Sequence, residues 1–456
     1  MSSGGHGGGS LLPGLDRIEH WLHTLLEKYS VEFPLWSLVV PFVACLIIFT
    51  LMDPGQMLRD FNFLIFVAPV WIPFLIGRFA WRRWVDSRVF AWNLRQPTVL
   101  LEIRLPRDTK KTPLAMETIF ANIHLTPGTG TFFKKYWEGR SVPWYSFEIV
   151  SLGGRVHFYV WTRQSFRHII ETYFYSQYPG VEIVEAVDYT RVIDPNEPPY
   201  TMWGCEITKK AESPFPIKTY TDFGLDKIPV AKPEEATDPL ANVIEFMGSL
   251  GPKEQLWIHI MIRYTRGYKN GKKWEDEGKE LIEKIRASTV KKTTYVDAQG
   301  NKHESEGFPN PTKGQTETLA AIGRNTDKLA YDVGIRAVYV AEEGHVRDYI
   351  GAFVTQIFRP WATASQSLTP LKLWSEAFNS YPWEDRSGRI RRHRMLELLE
   401  FTRRRAYFQY PYVGPWMIMS VEELASIFHI PSSTVAAPNL PRIQSTTTEA
   451  PSNLPT

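Results

Sequence analysis

Two long apolar runs without a single charge constrain this chain more than anything else in it. Leu35–Met52 reads LWSLVVPFVACLIIFTLM and Phe61–Gly77 reads FNFLIFVAPVWIPFLIG. Each approaches the about 20 residues that a helix needs to cross a bilayer. Only DPGQMLRD, with Pro54 and Gly55, separates them. The expectation is a transmembrane helical hairpin over 35–81, with arms at 35–52 and 61–80. A signal peptide fits less well, because the first run starts well into the chain and a second follows at once. Buried core helices fit less well too, since such runs are rare in soluble folds.

The flanks orient the hairpin. Arg78, Arg82, Arg83 and Arg88 follow the second run, and basic residues concentrate on the cytoplasmic side. Both termini and the main body are therefore expected in the cytoplasm, at the inner (cytoplasmic) membrane. Trp71, Trp81, Trp84 and Trp92 suit an interfacial aromatic belt against membrane lipid. Before the hairpin, 1–10 reads as a disordered leader. Residues 11–30 form an amphipathic helix, either flat on the membrane or packed on the body.

From Pro97 onward the texture is α+β. TVLLEIRLP reads as a strand and TPLAMETIFANIH as a helix with Thr112 as N-cap. WYSFEIVSLGGRVHFYVWT is a hairpin turning at Gly153-Gly154. RQSFRHIIETYFYSQYPG is a second helix and VEIVEAVDYT a last strand. This order, β-α-β-β-α-β, is the ferredoxin-like motif, expected over 97–190. A second such α/β domain is expected over 200–360. It has a charged insertion at 266–328 and a helix capped by Asp238, and its closing strand is not evident. A helical segment, 361–430, follows and carries a capping box of Ser420 and Glu423. Residues 431–456, with four prolines from Pro438 on, read as an extended tail.

Chemistry-bearing motifs are sparse. No G-x-x-x-x-G-K-[ST] loop occurs, and PGTGTFFKK reads as a loop or hairpin tip. Histidines are isolated, so no metal site, cofactor or catalytic residue is expected. The two cysteines, Cys45 and Cys205, suggest a reducing compartment. The formal charge of +3 gives no general affinity for nucleic acid. One local cluster stands out: Arg386, Arg389, Arg391, Arg392, Arg394, Arg403, Arg404 and Arg405. It is a candidate contact for a partner protein, anionic lipid or, weakly, nucleic acid. A solvated helix face, with Glu397 and Glu400 interleaved, is the plainer reading beside it.

Taken together, LLEIRLP…TPLAMETIF, PWYSFEIVSLGGRVHFYVWTR, IIETYFYSQYPGVEI, DVGIRAVYVA and VEELASIFHIP…PNLPRIQS resemble a bacterial membrane-protein family with a domain of unknown function. That family is similar to the N-terminal, pre-ATPase region of conjugation or type IV secretion ATPases. The resemblance implies a non-enzymatic membrane platform or adaptor, able to self-associate as a homo-oligomer, that docks a separately encoded cytoplasmic P-loop ATPase. A stand-alone scaffolding protein of the cell envelope is the alternative.

Overall fold

The computed structural model describes residues 54–106, 111–125, 130–194, 200–226, 238–265, 273–296, 302–342, 344–347, 349–374, 388–431 and 442–443. The expected leader, the helix over 11–30 and the first hairpin arm over 35–52 lie outside these residues. Chain contacts divide the molecule into two compact units, Met1–Asn93 with Gly130–Ser141, and Leu94–Thr129 with Val142–Thr456.

In the first unit, helix α1 (Pro54–Leu94) runs for 41 residues, about 60 Å at 1.5 Å per residue. It contains the whole of Phe61–Gly77 and does not stop where the apolar run stops. Pro69 and Pro73 lie inside it, and each removes an intrahelical hydrogen bond. Among the described residues no helix is long and apolar enough to cross a membrane. The expectation of a spanning arm over 61–80 is corrected accordingly. The apolar stretch is broken by Asn62 and two prolines, and it continues into a half studded with Arg78, Arg82, Arg83, Asp86 and Arg88.

The second unit is α+β and is built on one large sheet. Its first half comprises β1 (Thr98–Pro106), α2 (Leu114–Asn122), β2 (Trp144–Leu152), β3 (Arg155–Arg163), α3 (Arg167–Gln177) and β4 (Glu182–Glu185). The strands lie in the order β2-β3-β1-β4, all antiparallel. Gly153 and Gly154 close the β2–β3 hairpin at φ +60° and +85°, as a two-residue turn that follows the strand twist requires. Thr112 does not act as expected: α2 begins after Pro113 with no side-chain cap.

After a short helix, α4 (Tyr189–Val192), the second half repeats the pattern. It comprises β5 (Tyr200–Lys209), α5 (Pro239–Gly248), β6 (Glu254–Tyr264), β9 (Ala330–Glu342), α8 (Ile350–Thr355) and β10 (Leu368–Leu373). Between β6 and β9 sits an insertion of α6 (Trp274–Ser288), the ribbon β7 (Val290–Val296) and β8 (Lys302–Pro309), and α7 (Lys313–Thr326). The strand order is β6-β9-β5-β10, again antiparallel. Asp238 caps α5, accepting from Leu240 N. The closing strand not evident in the sequence is β10, and it falls within the segment expected to be helical.

These halves do not form two separate sheets. β2 pairs with β6 along nine residue pairs, from Trp144↔Arg263 to Leu152↔Gln255, and fuses them. The described residues from Arg389 on pack around this sheet. α9 (Arg389–Arg403) leads into the small hairpin β11 (Phe408–Gln409) and β12 (Tyr412–Val413), then β13 (Met417–Ser420) beside β9, and α10 (Val421–Ile427). The Ser420–Glu423 capping box forms as expected. The expected tail contributes β14 (Arg442–Ile443), parallel to the end of β1.

Alternation along each strand separates two faces. One carries Leu101, Phe147, Phe158, Cys205, Ile258 and Ile335 into the main core, under α2, α3, α5, α8 and α10. The other carries a smaller core of Leu100, Val150, Trp161, Trp257 and Val338, covered by Leu398 and Leu399 of α9.

Candidate functional site

Surface chemistry concentrates on the first unit. Along α1, Phe63 is 68% exposed, Phe66 82%, Ile76 62% and Phe79 67%. Phe74, Leu75 and Ile76 are consecutive and all exposed, so apolar side chains emerge on every side of this helix rather than on one stripe. Trp71 lies in the same apolar half. The run then passes into the expected aromatic and basic belt. Trp81 is exposed and Trp84 half-buried, their rings 5.2 Å apart. Arg82 and Arg83 are exposed, and Arg78 and Arg88 half-buried.

A second segment completes this surface. Phe133–Trp137 forms one π-helical turn and sets Tyr136 6.2 Å from Trp81 and Trp137 5.1 Å from Trp84. Arg88 Nε donates to the Trp137 carbonyl at 2.9 Å, and Ser141 Oγ to Asn93 Oδ1 at 2.6 Å. Gly139, at φ +76°, makes the approach possible, because a Cβ there would overlap the backbone of Arg88 and Val89. Where PGTGTFFKK suggests a loop or hairpin tip, Phe133–Trp137 is a helical turn; the distinguishing signal in the sequence is FFKKYW, aromatic and basic where loops are usually polar.

The arginine cluster separates on folding. Arg389, Arg391 and Arg392 are exposed on the first turn of α9 and Arg394 is half-buried, while Arg386 lies outside the described residues. Arg404 Nε donates to Glu400 at 2.6 Å. Arg403 turns inward, donating to the carbonyls of Thr190 at 3.1 Å and Ile193 at 2.6 Å. Arg405 is wholly buried. The expectation that Arg403 and Arg405 offer a partner or nucleic-acid contact is thereby corrected. Their charges are spent inside the fold, on groups more than 200 residues away in sequence.

Arg405 belongs to a polar row across the smaller-core face. Strand register aligns Glu102, Tyr159, Glu148, His259, Arg336 and Glu206 on neighbouring strands. Arg405 caps the row's centre. It donates to Glu148 at 2.9 and 3.1 Å and to Asp188 at 2.6 and 3.2 Å. Tyr189 donates its hydroxyl proton to Glu148 at 2.7 Å. The 2.6 Å contact between that hydroxyl and His259 Nε2 therefore has the ring as donor. Arg336 Nη2 reaches Glu206 at 3.0 Å and the Ala406 carbonyl at 3.1 Å.

Electrostatics follow from this closure. Burial alone would raise the Glu148 carboxyl. The charge of Arg405, with His259 and the donated hydrogen bonds, outweighs it and holds the group at about 2. Burial drives His259 down to about 4, since the Arg405 and Arg336 charges add to it and Glu148 opposes only in part. Arg405 sits at φ +47°, a left-handed conformation costing roughly 1–2 kcal/mol for a residue with a Cβ. Its bidentate pairs hold it there. The centre of the row, Glu148, His259, Arg336 and Glu206, is buried together with Arg405 and ties the helix end to the sheet, while Glu102 and Asp188 at its margins are half-buried. Among the described residues no three His, Cys, Asp or Glu side chains gather as a metal site.

A family model described as a domain of unknown function, DUF8128, matches residues 90–442. The chain belongs to that family. The DUF8128 region opens on the last turn of α1 and closes on β14, so it takes in the fused sheet, its inserted arm and the buried polar row. The apolar half of α1 lies before it. Among curated proteins none matches this chain.

Proposed function

We propose that this DUF8128 protein is a non-enzymatic, membrane-anchored platform whose body binds partners on the cytoplasmic side. The observation that carries the reading is the apolar half of α1, exposed all round and running straight into Trp81, Trp84, Arg82 and Arg83. Burial out of water favours each such large side chain by about 1.5–3 kcal/mol, and lipid is a solvent that accepts them; the reading sets these side chains in the membrane without making α1 a crossing. The charge-free run Leu35–Met52 supplies further apolar chain in the sequence just before it. The arginines after Gly77 favour the body facing the cytoplasm.

The reading assigns the chain binding rather than turnover. The resemblance to pre-ATPase regions supports docking of a separately encoded P-loop motor in a conjugation- or type IV secretion-like machine, and the similarity between the two β-α-β-β-α-β halves supports two fused ferredoxin-like repeats as the platform.

The test is fractionation and labelling in intact cells. The protein should stay with membranes through high-salt and carbonate washes. A cysteine placed at Thr98 should resist an impermeant reagent until the cells are opened. Release by either wash, or labelling at Thr98 in intact cells, overturns the anchor or its orientation respectively.

A further inference from the structure

We infer that Gly130–Ser141 is a second membrane contact, with Phe132, Phe133 and Trp137 lying in the headgroup layer of an anionic bilayer and Lys134 and Lys135 meeting its phosphates. This rests on the anchored reading above and adds a surface and a lipid class to it.

The segment joins α2 to β2 and has no part in the core. Yet it exposes Phe132 by 71%, Phe133 by 55% and Trp137 by 54%. Three large aromatics at the tip of a connection are costly in water. The segment is not a loose loop either. The Arg88–Trp137 and Ser141–Asn93 hydrogen bonds and the close approach at Gly139 fix it on α1. Its rings are ordered among themselves, with Phe132 4.6 Å from Tyr136 and Phe133 stacked 5.9 Å from Trp137.

Charge selects the occupant. Residues 78–93 and 130–141 carry seven cations (Arg78, Arg82, Arg83, Arg88, Lys134, Lys135 and Arg140) against Asp86 and Glu138 alone. Glu138 is already paired with Arg140 at 2.7 Å. A zwitterionic surface would leave that excess unanswered. An anionic one answers it, at about a five-fold gain in partition for each lysine or arginine near the surface. The aromatics fit the same place, since Trp and Tyr favour the boundary between hydrocarbon and water. Continuity with the belt at Trp81 and Trp84 puts both contacts at one level of one surface.

The experiment uses the full-length chain with Cys45 and Cys205 replaced by alanine and a single cysteine at Phe133 or at Phe66, each carrying an environment-sensitive fluorophore. Vesicles are phosphatidylcholine alone, or equal parts phosphatidylcholine and phosphatidylglycerol, with spin-labelled lipid as quencher. The probe at Phe133 should shift to the blue and be quenched in the anionic vesicles. Lys134→Gln with Lys135→Gln, or high salt, should weaken that response about tenfold or more. If the probe at Phe66 is quenched while the one at Phe133 stays water-like, the second contact is wrong and the anchor stands. If both stay water-like, the anchor fails with it. If Phe133 becomes protected only on adding cytosolic protein, the surface belongs to a protein partner and the lipid assignment is overturned.

Discussion

Acidification should loosen the sheet's centre through one side chain, His259. In the unfolded chain its imidazole titrates near the ordinary 6.5, and in the fold it titrates at about 4. Below 6.5 the unfolded chain therefore binds a proton that the native state refuses, so stability falls as the pH falls and levels out below about 4. Integrating the linkage between about pH 7 and pH 5 gives a loss of about 2 kcal/mol from this residue. Glu148, held at about 2, loses its contribution only below the ordinary carboxylate range, so the two windows are distinct. The assay is urea unfolding of the detergent-solubilised full chain at both pH values, for wild type and His259→Gln. The glutamine amide can still donate to Tyr189 but does not titrate. The variant should lose about 2 kcal/mol less than wild type over that interval. Equal losses, or a His259 NMR titration midpoint near 6.5, would refute the argument.

Other perturbations test other joints. Arg405→Met leaves the buried Glu148 and the half-buried Asp188 with no guanidinium, and should cost about 3–5 kcal/mol in chemical denaturation. The charge-conserving Arg405→Lys should recover only part of that, because the bidentate pairs are lost. Gly334→Ala drives a Cβ into the Tyr407 ring and should cost about 1–3 kcal/mol, read as a lowered unfolding midpoint. Residues 444–456 read in sequence as an extended tail of the kind that lies along a partner, so removing them should weaken co-purification with a cytoplasmic motor; unchanged co-purification would deny the tail that role.

Local signals carried far in this chain. Gly153-Gly154 between two alternating runs, Asp238 before Pro239, and Ser420 three residues ahead of Glu423 each encode their structure within a few residues, and each forms. What the sequence hides is long-range. Strand β10 contains Pro370 and six residues in all, and only its pairing with β5 makes it a strand. The β2–β6 seam depends on which half lies beside the other, which no window of residues contains. An arginine run reads as surface by composition. Arg405 goes inside because Glu148 and Asp188 wait there, one on β2 and one at the cap of α4. The docking of Phe133–Trp137 is hidden for the same reason, since its seat on α1 lies about fifty residues upstream.

The seam also governs how the molecule can be handled. Cutting between α4 and β5, where a linker would ordinarily suggest a domain boundary, leaves β2 and β6 each with nine backbone positions stripped of their partner. A bare inner strand of that length, rich in Phe, Ile, Val and Trp, is an adhesive edge. Half-length fragments should therefore precipitate or pair with one another when expressed, and the two halves supplied as separate chains should rescue each other's solubility. The smallest portion worth isolating is the whole sheet.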